Sequence, residues 1–213
     1  MIPAIEQVNS ESGRFYRTPD GDFPSITTVL GSLSKGHIEE WRNRVGAEQA
    51  DKITRQAANR GTRLHSNCET YLKTGTVNTT NPFDLMMFRS IQPKLDLITQ
   101  VHYQETAMWS KELGVAGTVD CIGEYGNELA VIDFKSANKE KKLEWIDSYW
   151  LQTCAYSIMY EERTGTRIDK LVIMIANEEE TAQSFVDWRN NWEDRLKEVI
   201  DSYRKTIYNV SAV

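Results

Sequence analysis

Two aspartates and a lysine grouped around one short turn are the residues of this chain whose types and spacing best suit chemistry. The segment GTVDCIGEYGNELAVIDFK carries Gly126-Asn127 between two runs rich in β-branched and apolar residues, a dipeptide suited to a two-residue hairpin turn with positive φ. With Tyr125 opposite Glu128, Cys121 faces Ile132 and Asp120 lies directly across from Asp133. Period-two alternation places Lys135 on the face of Asp133, opposite Thr118, and gathers Val119, Cys121, Ala130, Ile132 and Phe134 on an apolar face. Opposed carboxylates at a Cβ separation of roughly 4.5 to 5.5 Å repel unless compensated. A divalent cation is the economical compensator: hard oxygen ligands suit Mg2+ or Mn2+, and the Phe134 backbone carbonyl adds a main-chain oxygen. The competing reading is an exposed acidic hairpin tip, and a one-residue slip of the turn would send the aspartates to different faces.

Two further pairs have helical spacing. His65 and Glu69 are four residues apart, so an imidazole and a carboxylate point together toward a sheet, although a lone His is more often structural. Gln152 and Tyr156 repeat the spacing, able to touch a phosphate or to orient Lys135; an ordinary buried Tyr beside a solvated Gln is the alternative. No GxGxxG, GxxxxGK[ST] or HExxH occurs, and no Ser-His-Asp or Cys-His nucleophile arrangement is visible. Nucleotide-binding folds, zinc proteases and enzyme-nucleophile hydrolysis therefore lose support, and a metal-activated water fits better.

The elements that position these residues follow from patterning. FYRTPDGDFPSITTVL reads as a hairpin or extended arm around Pro19-Asp20-Gly21, ending in Ser34 as a helix cap. Residues 37–72 read as helix with a break at Gly46, and Ile53, Ala57, Leu64, Cys68, Tyr71 and Leu72 can face a core. A polar loop precedes a helix over FDLMMFRSIQPKLDLIT, with Pro93 as a kink or boundary. Residues 103–109, 114–124, 128–135, 170–176 and 183–186 read as strands, with helices over 143–163 and 188–208. The expected fold is α/β, with a mixed central β-sheet flanked by helices and a helical lobe ahead of it. The expected organisation is an N-terminal arm and helical lobe over 1–100 packed on a core over 101–213, together one structural unit.

The 213 residues carry 25 Lys or Arg against 31 Asp or Glu, a net charge of −6, which argues mildly against bulk attraction to nucleic acid. The average hides unlike surfaces. Residues 35–63 hold seven basic and four acidic residues and 135–142 hold four and one, whereas 178–201 hold eight acids and three bases. Arg55, Arg60 and Arg63 lead into His65, and with Lys139 they outline a phosphate path; a solvated helix face is the bland alternative for any one arginine. Trp41, Tyr71 and Trp150 have the chemistry to stack on bases, but core packing is the better reading for each. Cys68, Cys121 and Cys154 are far apart and in no CxxC, so they suggest neither a disulfide framework nor a zinc knuckle, and three thiols cannot supply an iron–sulfur cluster. No apolar run has the length of a membrane span, and the first fifteen residues lack a signal-peptide pattern. The expectation is a cytoplasmic protein with no membrane partner, in a bacterial host cytoplasm if the source is a phage.

Taken together, RGTRLH, GTVD, VIDFK and QTCAY, in that order, resemble the PD-(D/E)XK nuclease superfamily in its RecB-type branch. With FPSITTVL, EEW and RGTRLHSNCETYL, the chain looks most like the mitochondrial genome maintenance exonuclease group and its phage relatives, over about residues 14–160. The resemblance implies a restriction-endonuclease-like core and a Mg2+- or Mn2+-dependent exonuclease acting on DNA, with single-stranded ends favoured, in replication, recombination or repair, where proteins of those processes are candidate partners. It carries Asp120 and Asp133 over as metal-binding acids, Lys135 as the catalytic lysine, His65 as a further metal ligand and Gln152 and Tyr156 as the Q-x-x-x-Y motif. Asp133 stands where Glu is commoner, an allowed form. Glu105, on the strand before the hairpin, matches a position that often holds an acid. The alternatives are a double-strand exonuclease or an endonuclease of the same superfamily, and a catalytically silent DNA-binding subunit.

Overall fold

A five-stranded mixed sheet carries the residues singled out above. The computed structural model describes residues 2–10 and 13–211, apart from the side chains of 208–211. Met1, Glu11 and Ser12 of the N-terminal stretch lie outside the described residues. A small antiparallel sheet comes first, β1 (Glu6–Ser10), β2 (Gly13–Thr18) and β3 (Gly21–Pro24), followed by α1 (Ile26–Leu33), α2 (Lys35–Val45), α3 (Ala47–Thr74) and α4 (Pro82–Leu95). The main sheet is β4 (Ile98–Ser110), β5 (Val115–Tyr125), β6 (Leu129–Ala137), β7 (Lys170–Asn177) and β8 (Ala182–Trp188) in that spatial order. Helix α5 (Asp147–Thr164) crosses from β6 to β7, and α6 (Glu193–Ser211) is the last described element.

The connections explain the mixture. Two tight links make β4, β5 and β6 antiparallel, while the long crossover through α5 lets β7 run parallel to β6, as parallel pairing requires. β7 is buried at seven of its eight positions, which suits a strand covered on both faces and accounts for its unbroken apolar run. One face packs on α1, α5 and α6 through Val29, Trp150, Met159 and Leu196. The other packs on α3 and α4 through Leu64, Cys68, Phe88 and Ile91. This is the α/β arrangement expected from the sequence, a mixed sheet flanked by helices. The three cysteines are free and buried; desolvation pushes the Cys121 and Cys154 thiols up to about 12, which leaves them inert near neutrality.

Several elements differ from the sequence reading. The stretch read as a hairpin or extended arm forms the β2–β3 hairpin over its first ten residues, Phe15↔Pro24 to Thr18↔Gly21, but its last residues become helix α1, because Ile26, Val29 and Leu30 recur at helical spacing and are buried. That burial overrides the weak helix propensity of Ile, Thr and Val. Its cap is Ser25, whose side chain accepts from Thr27 N–H; Ser34 makes no side-chain cap bond and donates to the Gly31 carbonyl instead. Helix α5 starts at Asp147 after a single 3-10 turn over Leu143–Trp145, and α6 starts at Glu193 after another over Arg189–Asn191. The first half of α3 has no apolar partner for Ala57, which is exposed, while Ile53 is half-buried. Trp150 is buried and stacks on Trp192.

Candidate metal centre and its lysine

The hairpin forms in the expected register. Gly126 and Asn127 both have positive φ, Tyr125 N–H donates to the Glu128 carbonyl, and the pairing runs from Glu124↔Leu129 to Cys121↔Ile132. It stops there. Asp120 and Asp133 are not a ladder pair; Asp120 Oδ2 takes the Phe134 N–H at 2.8 Å, so a side chain replaces a main-chain acceptor where the strands part. This corrects the direct opposition of the two aspartates.

A second irregularity sits at the same level on β4. Glu105 has φ +43° inside a strand, an uncommon conformation for a residue with a Cβ. It reverses the pleat: Tyr103 and Met108, five residues apart, serve the same apolar cluster. β5 shifts phase beside it, since Val119 joins Ile122 and Val131 on the α5 side whereas Cys121 faces α3. Val119 therefore does not share the apolar face of Cys121, Ala130, Ile132 and Phe134. The benefit of the paired kinks is that Glu105 and Asp120 turn toward α3.

There they meet His65. Its Nδ1 lies 3.4 Å from Asp120 Oδ1 and 4.0 Å from Glu105 Oε1, and ligand atoms of all three lie within 4.8 Å of one another. Packing of the ring edge-on to Phe134 holds the imidazole. Two carboxylates and an imidazole are a donor set for a divalent cation. Glu69, one turn further along α3, borders the same hollow of about 470 Å3. Its carboxylate, however, pairs with Lys73 and stays outside the cluster.

Asp133 serves the lysine. Lys135 Nζ is 2.5 Å from Asp133 Oδ2, while the buried Asp133 Oδ1 has no hydrogen-bond partner. A buried carboxylate with open lone pairs is costly unless something else takes them, which fits a cation ligand. Lys135 also donates to Gln152 Oε1 at 3.3 Å, and Gln152 Nε2 donates to the Tyr156 hydroxyl at 3.1 Å. Gln152 and Tyr156 thus form a hydrogen-bonded relay from the lysine into α5, both of them buried. Tyr149, three residues before Gln152 on the same helix, puts its ring 5.1 Å from Lys135 Nζ. The sequence reading missed it, though its spacing from Gln152 was the available signal.

The relay needs Gly117. A Cβ there would stand 2.7 Å from Tyr156 Cε1 and 3.2 Å from its hydroxyl and from Ile26 Cγ2. Because Tyr156 is buried, Gly117→Ala is expected to lower stability by about 1–3 kcal/mol. Thermal denaturation checks this, and an unchanged Tm would mean that the ring has room to move.

Electrostatics bind the groups into one unit. Burial alone would raise Asp120, but His65, Lys135 and the Phe134 N–H outweigh it and hold the carboxyl below its usual range. Burial pushes Asp133 up to about 6, with Asp120 adding to the shift against the pull of Lys135. Glu105 is pushed up to about 7 by desolvation and by the nearby Asp120 and Glu69 charges. Burial opposes the charge on His65 and Lys135, yet the aspartates raise both. Folding therefore adds protons at Asp133, Glu105 and His65; their contribution is fully present at low pH and is lost as pH rises to about 6 for Asp133 and about 7 for Glu105, and above the ordinary imidazole range for His65, by linkage. The metal-free protein is expected to lose Tm between pH 5 and pH 8. Added Mn2+ competes with those protons, so its stabilising shift in Tm is expected to be larger at pH 8 than at pH 6. Equal shifts at both pH values would remove Glu105 and His65 from the metal site.

The arginines are less available than their sequence suggests. Arg60 pairs with Glu178 and reaches Ser136 Oγ, and Arg63 pairs with Asp84 at 2.8 Å. Arg55 and Lys139 are exposed and make no ion pair among the described residues.

Comparison with known proteins gives a consistent direction. No family model matches the chain. Mitochondrial genome maintenance exonuclease 1 of Homo sapiens is 28% identical over 129 residues, covering 55% of this chain and 38% of that protein. The Xenopus tropicalis protein of the same name is 28% identical over 137 residues, with 57% and 38% covered. The match spans less than two-fifths of the length of these relatives. A solved structure from Eubacterium rectale, described as a candidate exonuclease, aligns with 86% of this chain and 66% of its own at 12% identity and a TM-score of 0.43, a likeness too slight to bear on function. In sequence, the chain resembles an exonuclease family, and no helix among the described residues is long and apolar enough to cross a membrane.

Proposed function

We propose that this chain is a Mg2+- or Mn2+-dependent deoxyribonuclease, an exonuclease that prefers single-stranded DNA ends and serves replication, recombination or repair. The observation that carries the reading is Asp120, whose two oxygens link His65 to the backbone of Phe134 beside a lysine held by Asp133 and Gln152. His65, Glu105, Asp120 and Asp133, with the Phe134 carbonyl, would hold the ion. A divalent cation in such a site lowers the pKa of a bound water and stabilises charge on a phosphate oxygen.

The chain's own residues do the rest. Lys135 donates to the attacking water or to the non-bridging phosphate oxygen on which charge grows. Gln152 fixes the direction of that donor, and Tyr156, whose hydroxyl burial keeps protonated, fixes Gln152. Arg55 and Lys139 supply phosphate contacts that position the strand. The division into a helical lobe over 1–100 and a nuclease core over 101–213 belongs to the same proposal.

The test incubates wild type and Lys135→Ala with end-labelled linear and circular DNA, single-stranded and duplex, in Mg2+, Mn2+ or EDTA. Metal-dependent loss of linear single strands with circles spared is the expected result. Cut circles would make the enzyme an endonuclease, and preferential loss of duplex ends a double-strand exonuclease. Survival of every substrate while DNA still binds would leave a silent binding subunit.

A further inference from the structure

Helix α3 has a second functional flank. Gln56, Asn59 and Arg63 fall roughly half a turn around it from His65, and with Arg60, Phe83 and Asn138 they line a cavity of about 490 Å3, within the roughly 300–1,000 Å3 of small-ligand sites. The cavity opens where β6 and β7 end, and Arg60 Nε reaches from it to Ser136 Oγ at 3.4 Å. Ser136 is the residue after Lys135.

The lining has three kinds of chemistry. Phe83, at the first turn of α4, leaves 37% of its surface exposed and lines the cavity. Gln56, Asn59 and Asn138 offer both donors and acceptors at the rim. The arginines are set by acids: Asp84, itself buried, takes Arg63 Nε, and Glu178 takes one Arg60 terminal nitrogen. Each acid leaves terminal N–H groups of its arginine without a partner among the described residues, aimed by a pair already formed. That is how a guanidinium fork is pre-organised for phosphate.

We propose that this cavity binds one deoxynucleoside monophosphate unit, with its phosphate on Arg63 and Arg60, its base against Phe83, and its base edge on Glu178 and the amides. Glu178 decides the ligand class. A carboxylate in the lining repels a bare anion but accepts from an exocyclic amino group, so base and phosphate must bind together. The unit is either a free nucleotide or a link in an unpaired strand, and in the second form the site rests on the nuclease reading, as a subsite one residue beyond Lys135.

The experiment titrates the metal-free chain in EDTA with dAMP, deoxyadenosine and inorganic phosphate by calorimetry, then competes dAMP against a labelled single-stranded oligonucleotide. dAMP is expected to bind at least about tenfold tighter than either fragment, and Phe83→Ala to weaken it about tenfold with Tm unchanged. Arg63→Gln is expected to weaken it comparably; should that variant fail to fold for want of a partner to Asp84, Phe83→Ala decides. Displacement of the oligonucleotide by dAMP identifies a strand subsite, and binding without displacement a free-nucleotide site. dAMP that binds no better than phosphate, or equally well to Phe83→Ala, overturns the inference. Nuclease assays in Mn2+ keep the two readings apart: cleavage with no dAMP binding defeats the cavity alone, and dAMP binding with no cleavage upholds the cavity while defeating the nuclease.

Discussion

Asp120→Asn is expected to abolish Mn2+ binding and to reduce DNA hydrolysis by at least about 10³-fold, with the fold intact. The substitution keeps shape and removes charge. An amide oxygen still accepts the Phe134 N–H that Asp120 Oδ2 takes at 2.8 Å, so the parting of β5 from β6 survives. What disappears is the anion facing His65 Nδ1 at 3.4 Å and close enough to Glu105 to raise its carboxyl. Without a metal the loss costs some stability, because the attraction of His65, Lys135 and the Phe134 N–H outweighs burial at Asp120 and holds its carboxyl below the usual range, a contribution to folding that an amide forfeits. With metal the difference is large: a cation at a hundred times its Kd stabilises the native state by about 2.7 kcal/mol, and the variant forfeits that. Calorimetry with Mn2+ and paired thermal scans measure both. Wild-type Mn2+ affinity in Asp120→Asn would place the ion elsewhere.

The hairpin around Gly126-Asn127 was legible because its cause is local. Positive φ at two consecutive residues and alternation on both arms fix a register, and the four pairs from Glu124↔Leu129 to Cys121↔Ile132 follow it. The parting at Asp120 was not legible, because it depends on a carboxylate replacing a ladder acceptor and on a kink at Glu105, fifteen residues earlier on another strand. No local signal marks a Glu with φ +43°. Gln152 and Tyr156 could be placed on one helix face from spacing alone, and they are hydrogen-bonded. By contrast, Arg60 and Glu178 meet from opposite halves of the chain, so a basic run that reads as open to phosphate is partly spoken for. Helix α1 hid for a similar reason: Ile-Thr-Thr-Val has strand propensity, and only burial of Ile26, Val29 and Leu30 against the sheet makes it helical.

Lys135→Ala is expected to lower kcat by about 10²–10³-fold while leaving DNA affinity within a few-fold, the signature of a donor that acts in the transition state. Its ammonium sits 2.5 Å from Asp133 and 3.3 Å from Gln152 Oε1, held from two elements, so little reorganisation is required when charge develops nearby. Removing it also strips Asp133 of the attraction that keeps its carboxyl from rising above about 6. Asp133 then protonates at higher pH, which spares the fold an unpaired buried charge but withdraws a ligand from the metal. The acidic limb of the pH–rate profile is therefore expected to move to higher pH in Lys135→Ala. A lysine that merely packed would give no such displacement. Lys135→Arg restores the charge beside Asp133 without the same reach to Gln152, so it is expected to return the limb toward its wild-type position while kcat stays low. Retention of more than about a tenth of wild-type kcat in Lys135→Ala, or an unmoved limb, would assign the lysine to structure and leave the chemistry to the carboxylates and His65.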